Sequence, residues 1–310
     1  DVADEQQAAH LRSMAMPGPA AIFVGIPATD DAGLCLANEL FSIELHRQLY
    51  VGDVFPPHLQ GALCPFCGSE TLDNFGSHVL VCKSGPHGRV EMHDHITDCL
   101  IQAHRAAGLS ARRAVVTDTA TDDGRMVDAI AEFLHRPDEG SPSTGTRMYD
   151  VRGVHAETPG LLARMATADA HKRAKHSAGC SRMGGTFYPF VYALSGALSD
   201  TARAVLKDLS AAAASQADPQ LFLSYWLLRM SFQIRGDCAR RILAATRASR
   251  LAAHPHASHL GAAAHGFALT VHAASLRGWT ESSGGRSAAR ALAARRGPLP
   301  HNPRSVGGGV

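Results

Sequence analysis

Four potential metal ligands lie close together in the first third of this chain. Cys64 and Cys67 are separated by two residues, and His78 and Cys82 follow after a gap of ten residues. Two thiols on one turn, with a His and a third thiol on the next element, can form a tetrahedral Zn²⁺ site. The bound ion would supply the folding energy that so short a segment cannot gain by burial. We therefore predict a zinc knuckle. Two buried free thiols, or a Cys64–Cys82 disulfide in a secreted protein, are the alternatives.

Composition favours the metal over the disulfide. Residues 1–7 are acidic and polar, so we do not expect a secretory signal peptide. The remaining cysteines lack partner spacing, and they are Cys35, Cys99, Cys180 and Cys238. No apolar run reaches the ~20 residues of a membrane span, so we expect an intracellular protein with no membrane partner. The net charge of +2 is close to neutral, and any nucleic-acid surface must come from local basic clusters.

A second set of residues has the types needed for phosphate chemistry. Asp128 and Asp150 each interrupt an otherwise apolar run with strand character. A charge in such a place is costly unless it is paired or binds a metal. Lys172 and Lys175 are three residues apart and therefore lie on one side of a predicted helix. Two carboxylates that hold a divalent cation beside a lysine can promote attack of water on a phosphodiester.

Plainer interpretations of this second set stay open. One or both aspartates would be unremarkable on the solvated face of an edge strand. The basic helix face is as often a solvated surface as a phosphate contact. Asp138 is a second acidic option for the later strand position, but its neighbours have the composition of a hairpin loop.

The spacing of apolar residues changes along the chain between helical and strand-like, and it predicts the elements that must position these residues. Helical spacing is predicted for Leu34–Leu49, Val90–Ala107 (with Gly108 as its C-terminal cap), Leu161–Cys180, Asp200–Ala214 and Gln220–Arg250. The last two are predicted to carry Arg and Lys on their polar faces. Strands are predicted at Ala20–Ile26, Val115–Val116, Met126–Leu134, Met148–His155 and Thr186–Leu194, with the third and fourth paired antiparallel.

A helix, then strands carrying acidic residues, then a basic helix is the order expected of a restriction-endonuclease-like core. The predicted fold class is therefore α/β, with a small zinc knuckle followed by that core and by helical flanks on both sides. The expected segments are a helical linker (1–58), the knuckle (59–88), the endonuclease-like domain (89–215), a helical extension (216–250) and a loosely ordered Ala/His/Gly-rich tail (251–310).

The chain resembles the C-terminal region of non-LTR retrotransposon polyproteins that carry a restriction-like endonuclease. The resemblance covers roughly residues 17–245 and is most specific in the knuckle and its spacing to the acidic strands. The matching residues are Leu63–Gly68 and Leu72–Cys82 in the knuckle, Arg89 and His93 in the next helix, Arg125–Asp128, Asp150–Arg152, Lys172–His176, Phe187–Phe190 and the following Gly196.

The resemblance implies Mg²⁺-dependent nicking of DNA for target-primed reverse transcription in the nucleus. Asp128 and Asp150 would hold the Mg²⁺, and Lys172 or Lys175 would stabilise developing charge. Nucleic acid would contact basic residues of the knuckle and of the following elements, namely Lys83, Arg89, His93, Arg112 and Arg113. The implied partners are DNA, RNA of the element and the polymerase region. No Tyr-x-Asp-Asp polymerase signature occurs in this chain.

The chain departs from the family pattern at three places. Arg112-Arg113-Ala114 stands where the family usually has a Glu, Ala193 stands where it often has a Glu, and His176 replaces a Tyr. Fewer acidic groups weaken a metal site. A catalytically inactive, zinc-dependent nucleic-acid-binding remnant is therefore an alternative. The near-neutral charge favours a third reading, a zinc-stabilised protein-interaction module.

Overall fold

The computed structural model describes residues 36–49, 53–114, 127–133, 145–155 and 160–253, together with Glu5 and Ala8. The helices are α1 (Asn38–Leu49), α2 (Ser77–Val81), α3 (Arg89–Ala106), α4 (Leu161–Arg182), α5 (Asp200–Ala212) and α6 (Pro219–Ala253). The strands are β1 (Ser110–Arg113), β2 (Ala129–Phe133), β3 (Gly145–Val154) and β4 (Gly185–Ala193). The mixed α/β class predicted from the sequence is confirmed.

Several predicted features fall outside the described residues. They are the strands at Ala20–Ile26 and Val115–Val116, the loop with Asp138, and nearly all of the tail at 251–310. Among the described helices, none is both long and apolar enough to cross a lipid bilayer.

The four strands form one mixed sheet in the order β1-β2-β3-β4. The pairs β1–β2 and β2–β3 are antiparallel, whereas β4 runs parallel to β3. The predicted antiparallel pairing of β2 with β3 is confirmed. A parallel pair requires a crossover connection, and α4 provides it between β3 and β4.

Alternation along β3 divides its side chains between the two faces of the sheet. Tyr149 and Val151 pack into the main core, to which α3, α5 and α6 contribute. Met148 packs on the other face with Cys180 of α4. Asp150 shares the parity of Met148 and therefore lies on the α4 face. The basic helix α4 thus covers the face of β3 that carries Asp150.

The long helix α6 departs from the predicted pattern of surface arginines. Arg229, Arg235 and Arg241 are all buried, so the prediction that Arg residues of this helix occupy a polar face is wrong for these three. Their guanidinium groups bind polar groups brought in by other elements. Arg235 Nη1 lies 3.6 Å from Glu44 Oε1 of α1, and Arg241 contacts the knuckle. Buried charges need such partners.

Candidate metal centres

The first two cysteines lie on a tight turn that backbone hydrogen bonds close. Leu63 pairs with Thr71 as an isolated antiparallel bridge. The N–H of Cys64 donates to the carbonyl of Glu70 at 2.6 Å, and the N–H of Gly68 donates to the carbonyl of Cys64 at 2.8 Å. Gly68 has a φ of 68°, a left-handed conformation that favours glycine and that the turn requires.

Of the other two ligands, His78 lies on the short helix α2 and Cys82 is the cap residue directly after it. Asp73 fixes the start of this helix. The Asp73 carboxylate accepts hydrogen bonds from three backbone N–H groups, those of Phe75 (3.0 Å), Ser77 (2.9 Å) and His78 (2.9 Å). Such side-chain acceptors satisfy N–H groups that the first helical turn leaves unpaired. His78 and Cys82 are one turn apart, so both face the cysteine turn.

The four ligand atoms converge on one point. The sulfurs of Cys64, Cys67 and Cys82 and a ring nitrogen of His78 all lie within 4.8 Å of one another. Cys67 Sγ is 3.3 Å from His78 Nε2. A tetrahedral Zn²⁺ with Zn–S bonds of about 2.3 Å separates its ligand atoms by about 3.8 Å, so the donor set fits the ion in chemistry and in size. The three cysteines are free thiols, not a disulfide.

Local hydrogen bonds prepare one thiol to act as a ligand. The Ser69 hydroxyl donates to Cys67 Sγ at 3.3 Å and, with nearby backbone N–H groups, lowers the pKa of Cys67 to about 5. Burial raises the pKa of Cys64. A metal ion would favour the thiolate at both positions, because thiolates are the species that bind Zn²⁺.

Arg241 fastens this knuckle to helix α6. Its side chain is fully buried and lies over the ring of Phe66, 5.2 Å from the centroid. It donates hydrogen bonds to four carbonyls of the knuckle, those of Val79 (2.5 Å), Cys82 (2.6 Å), Ser84 (2.8 Å) and Pro86 (2.8 Å). The segment that carries His78 and Cys82 is therefore held against the helical core.

The second cluster forms where β2 and β3 meet. The paired register of these strands ends at Ala129 and Tyr149, and the N–H of Asp128 donates to the carbonyl of Tyr149 at 2.7 Å, next to Asp150. Asp128 Oδ2 accepts a hydrogen bond from the N–H of Val151 at 2.5 Å, which fixes its direction. His93 of α3 joins them, and ligand atoms of His93, Asp128 and Asp150 lie within 4.8 Å of one another.

Helix α4 supplies two nitrogen groups to Asp150. Lys172 Nζ lies 2.5 and 2.6 Å from its two carboxylate oxygens, and His176 Nε2 lies 2.7 Å from Oδ2. Burial and the charge of Asp128 raise the pKa of Asp150 to about 6, against the opposing effect of Lys172. When two carboxylates lie this close, ionising the second one costs free energy because the two negative charges repel. A divalent cation between them would remove that repulsion.

His93 lies between two carboxylates. Its Nε2 is 3.0 Å from Asp128 Oδ2, and its Nδ1 is 3.1 Å from Asp94 Oδ1. Burial alone would lower the pKa of His93, but Asp128 and Asp94 outweigh it and the net shift is upward. Burial likewise opposes the ionisation of Asp128, yet His93 and the N–H of Val151 hold its pKa below the usual range.

The structure separates the two lysines that the sequence left as equal options. Lys172 contacts Asp150, whereas Lys175 is half-buried and forms no ion pair with the part of the chain described here. The five residues assigned to nucleic-acid contact lie in different settings. Lys83, Arg89 and Arg112 are exposed, His93 joins the acidic cluster, and Arg113 pairs with Asp98 at 2.8 Å and with Asp94 at 3.4 Å.

Sequence reasoning did not include His176 or Asp94 in the site. His176 follows Lys172 by four residues, so helical spacing alone placed both on one face of α4. Asp94 is adjacent to His93 in sequence, and nothing in the pattern indicated that it would contact the ring. No protein-family model matches this chain, and comparison with curated proteins gives no significant match.

Proposed function

We propose that this chain is the nuclease-bearing C-terminal region of a non-LTR retrotransposon polyprotein and that it nicks DNA. The observation that carries the proposal is the convergence of Asp128, Asp150 and Lys172 at one end of a mixed sheet. The order of elements supports it, because a helix, three antiparallel strands, a crossover helix and a parallel strand are what a restriction-endonuclease-like core requires. In this proposal the chain acts in the nucleus.

Each side chain has a separate task in this chemistry. Asp128 and Asp150 would hold a divalent cation, Mg²⁺ in the family's pattern, and the cation when bound supplies Lewis-acid stabilisation and an acidic water. Lys172 places a positive charge beside the carboxylate pair, where it offsets charge that develops on the phosphate oxygens. Water attacks the phosphorus, the bond to the 3′ oxygen breaks, and the products are a 3′-OH and a 5′-phosphate.

Basic side chains would provide a path for the DNA backbone in this proposal. Arg152 is exposed and lies two residues after Asp150, on the same face of β3. Lys175 lies on the same helix as Lys172, and Lys83 and Arg89 are exposed around the end of the knuckle. Contacts of this kind bind phosphates without reading sequence, so affinity should fall steeply with salt.

The knuckle has a structural task in this proposal. A Zn²⁺ held by Cys64, Cys67, His78 and Cys82 would stabilise the segment immediately before α3, the helix that carries His93. The ion would therefore act on the acidic cluster indirectly, through the position of α3. Element RNA and the polymerase region of the same polyprotein are the further partners that we propose.

Nicking of supercoiled plasmid in Mg²⁺ tests the function. We expect the full chain to convert supercoiled DNA to open circles. Asp150→Asn should lose about 100-fold or more, because even supporting residues of a metal site are each worth ~10–100-fold. Asp200→Asn is the matched control, since the Asp200 side chain is 92% exposed and lies on α5. Equal activity of the parent and Asp150→Asn would contradict the proposal.

One observation favours a second candidate, a catalytically silent nucleic-acid-binding remnant. Lys172 and His176 together contact both oxygens of Asp150, and the acidic residues usual for the family are missing at Arg112–Ala114 and Ala193. The same assay separates the two, because a remnant binds duplex DNA at low salt but leaves the plasmid supercoiled. Absence of any DNA binding would instead favour a protein-interaction module.

A further inference from the structure

The acidic cluster contains an imidazole, which is not a ligand that Mg²⁺ prefers. Mg²⁺ and Ca²⁺ select oxygen ligands. The transition ions Mn²⁺, Co²⁺, Ni²⁺ and Zn²⁺ also accept an imidazole nitrogen, and Mn²⁺ binds it the least strongly of these four. His93 Nε2 points at the carboxylate pair from α3 and lies 3.0 Å from Asp128 Oδ2. The ring therefore occupies the position of a third ligand.

The contact on the other side of the ring fixes which nitrogen is available. His93 Nδ1 lies 3.1 Å from Asp94 Oδ1, and Asp94 is held in turn by Arg113, whose Nη2 donates to its backbone carbonyl at 3.0 Å. A His93 ring that keeps its proton on Nδ1, beside Asp94, can present the Nε2 lone pair to a cation held by Asp128 and Asp150. Histidines that bind metals are typically oriented by a carboxylate in this way.

We propose that His93 is the third protein ligand of a cation held by Asp128 and Asp150, and that the site therefore prefers first-row transition ions to Mg²⁺. The proposal rests on the cation site of the proposed function but not on DNA cleavage. Asp94 acts as a positioning residue, since it contacts the ring and not the cation. Lys172 and His176 contact Asp150 from the side of α4, whereas His93 approaches the carboxylates from the side of α3.

Mn²⁺ binding to the full chain tests this directly. Protein loaded with one equivalent of Zn²⁺ keeps the knuckle ligands engaged, and loss of the free Mn²⁺ signal in electron paramagnetic resonance then reports the second site. Competition with Mg²⁺ gives the affinity ratio. We expect one Mn²⁺ per chain, bound about tenfold or more tightly than Mg²⁺.

The key variant is His93→Gln, which replaces the ring nitrogen with an oxygen of similar reach. We expect its Mn²⁺ affinity to fall by about 10–100-fold, the range for residues that support a metal site, while Mg²⁺ affinity changes little. A merely structural role for His93 would weaken both ions alike. His171→Gln is the matched control, because His171 is exposed on α4. Asp94→Asn, at a side chain that is 42% exposed, should give a smaller loss in the same direction.

Two results would overturn the inference: equal affinity of the parent chain for Mn²⁺ and Mg²⁺, or an unchanged Mn²⁺/Mg²⁺ ratio in both His93→Gln and Asp94→Asn. Circular dichroism of each variant establishes that it folds. Failure of the nuclease proposal is recognised separately. If the chain binds Mn²⁺ through His93 but does not nick DNA, this inference stands and the proposed function is wrong. If the chain nicks DNA but its Mn²⁺ binding does not depend on His93, the proposed function stands and this inference is wrong.

Discussion

Replacing Arg241 with alanine tests whether the knuckle is held by the helical core. The guanidinium donates to two carbonyls in buried settings, those of Val79 and Cys82, and to two in partly buried settings, those of Ser84 and Pro86. Water can replace the donor at the outer pair, because Ser84 and Pro86 are exposed residues. The inner pair would be left without a donor.

The expected cost follows from those two buried carbonyls. A buried acceptor that loses its partner costs about 1–3 kcal/mol, so the pair should lower the free energy of unfolding by about 4 kcal/mol. In a folded unit of about 200 residues, each kcal/mol moves Tm by ~2–4 °C. Arg241→Ala should therefore lower Tm by about 8–16 °C, and it should also release Zn²⁺ to a chelator more readily.

Thermal unfolding of the zinc-loaded chain, followed by circular dichroism, measures this effect. Arg247→Ala is the matched control on the same helix, because Arg247 and its partner Glu39 are 60% and 58% exposed. Exposed pairs are worth less than about 1 kcal/mol. Equal Tm values for Arg241→Ala and Arg247→Ala would refute the claim that Arg241 holds the knuckle in place.

Three further predictions concern the core, the lysines and the metal. Burial lowers the pKa of His104 to about 4. In the unfolded chain this residue has its ordinary pKa of 6.5 and takes up a proton below that pH. The free energy of unfolding should therefore fall by up to about 3 kcal/mol as pH drops from 6.5 to 4. Denaturant titrations across this range should show that slope for the parent and a flatter one for His104→Gln; parallel slopes would count against it. Lys172→Met should abolish plasmid nicking while Lys175→Met keeps most of it, and the opposite order would mean that the wrong lysine has been assigned. A strong zinc chelator should lower Tm of the parent but leave Cys82→Ala unchanged, since that variant has already lost the site; an equal fall in both would argue against zinc in the knuckle.

Much of the knuckle and of the strand pattern could be predicted because both are local. Cys64, Cys67, His78 and Cys82 lie within nineteen residues, and the spacing of each pair already fixes a turn or a helix face. The antiparallel pairing of β2 with β3 followed from two apolar runs separated by a turn-rich stretch. The closeness of the Asp128 and Asp150 carboxylates did not follow, because one residue of slip would have turned one of them to the other face.

The remaining features depend on contacts between distant parts of the chain. His93 reaches Asp128 across the end of α3, and Arg241 reaches Val79 from 162 residues away. The arginines of α6 were predicted to be solvated because analysis of helical periodicity assigns charged residues to the outer face. Periodicity cannot predict that four carbonyls of the knuckle accept hydrogen bonds from the guanidinium of Arg241. Tertiary hydrogen bonding overrides the pattern at such sites.

Anomalous diffraction from crystals of the zinc-loaded chain grown with Mn²⁺ tests the central claim, two metal centres on one fold, most directly. Data collected at the Zn edge should give a peak among Cys64, Cys67, His78 and Cys82, within about 2.4 Å of each sulfur. Data at a wavelength where Mn scatters anomalously should give a second peak between Asp128 and Asp150, in contact with His93 Nε2. An ordered map with no peak at either position would contradict the account.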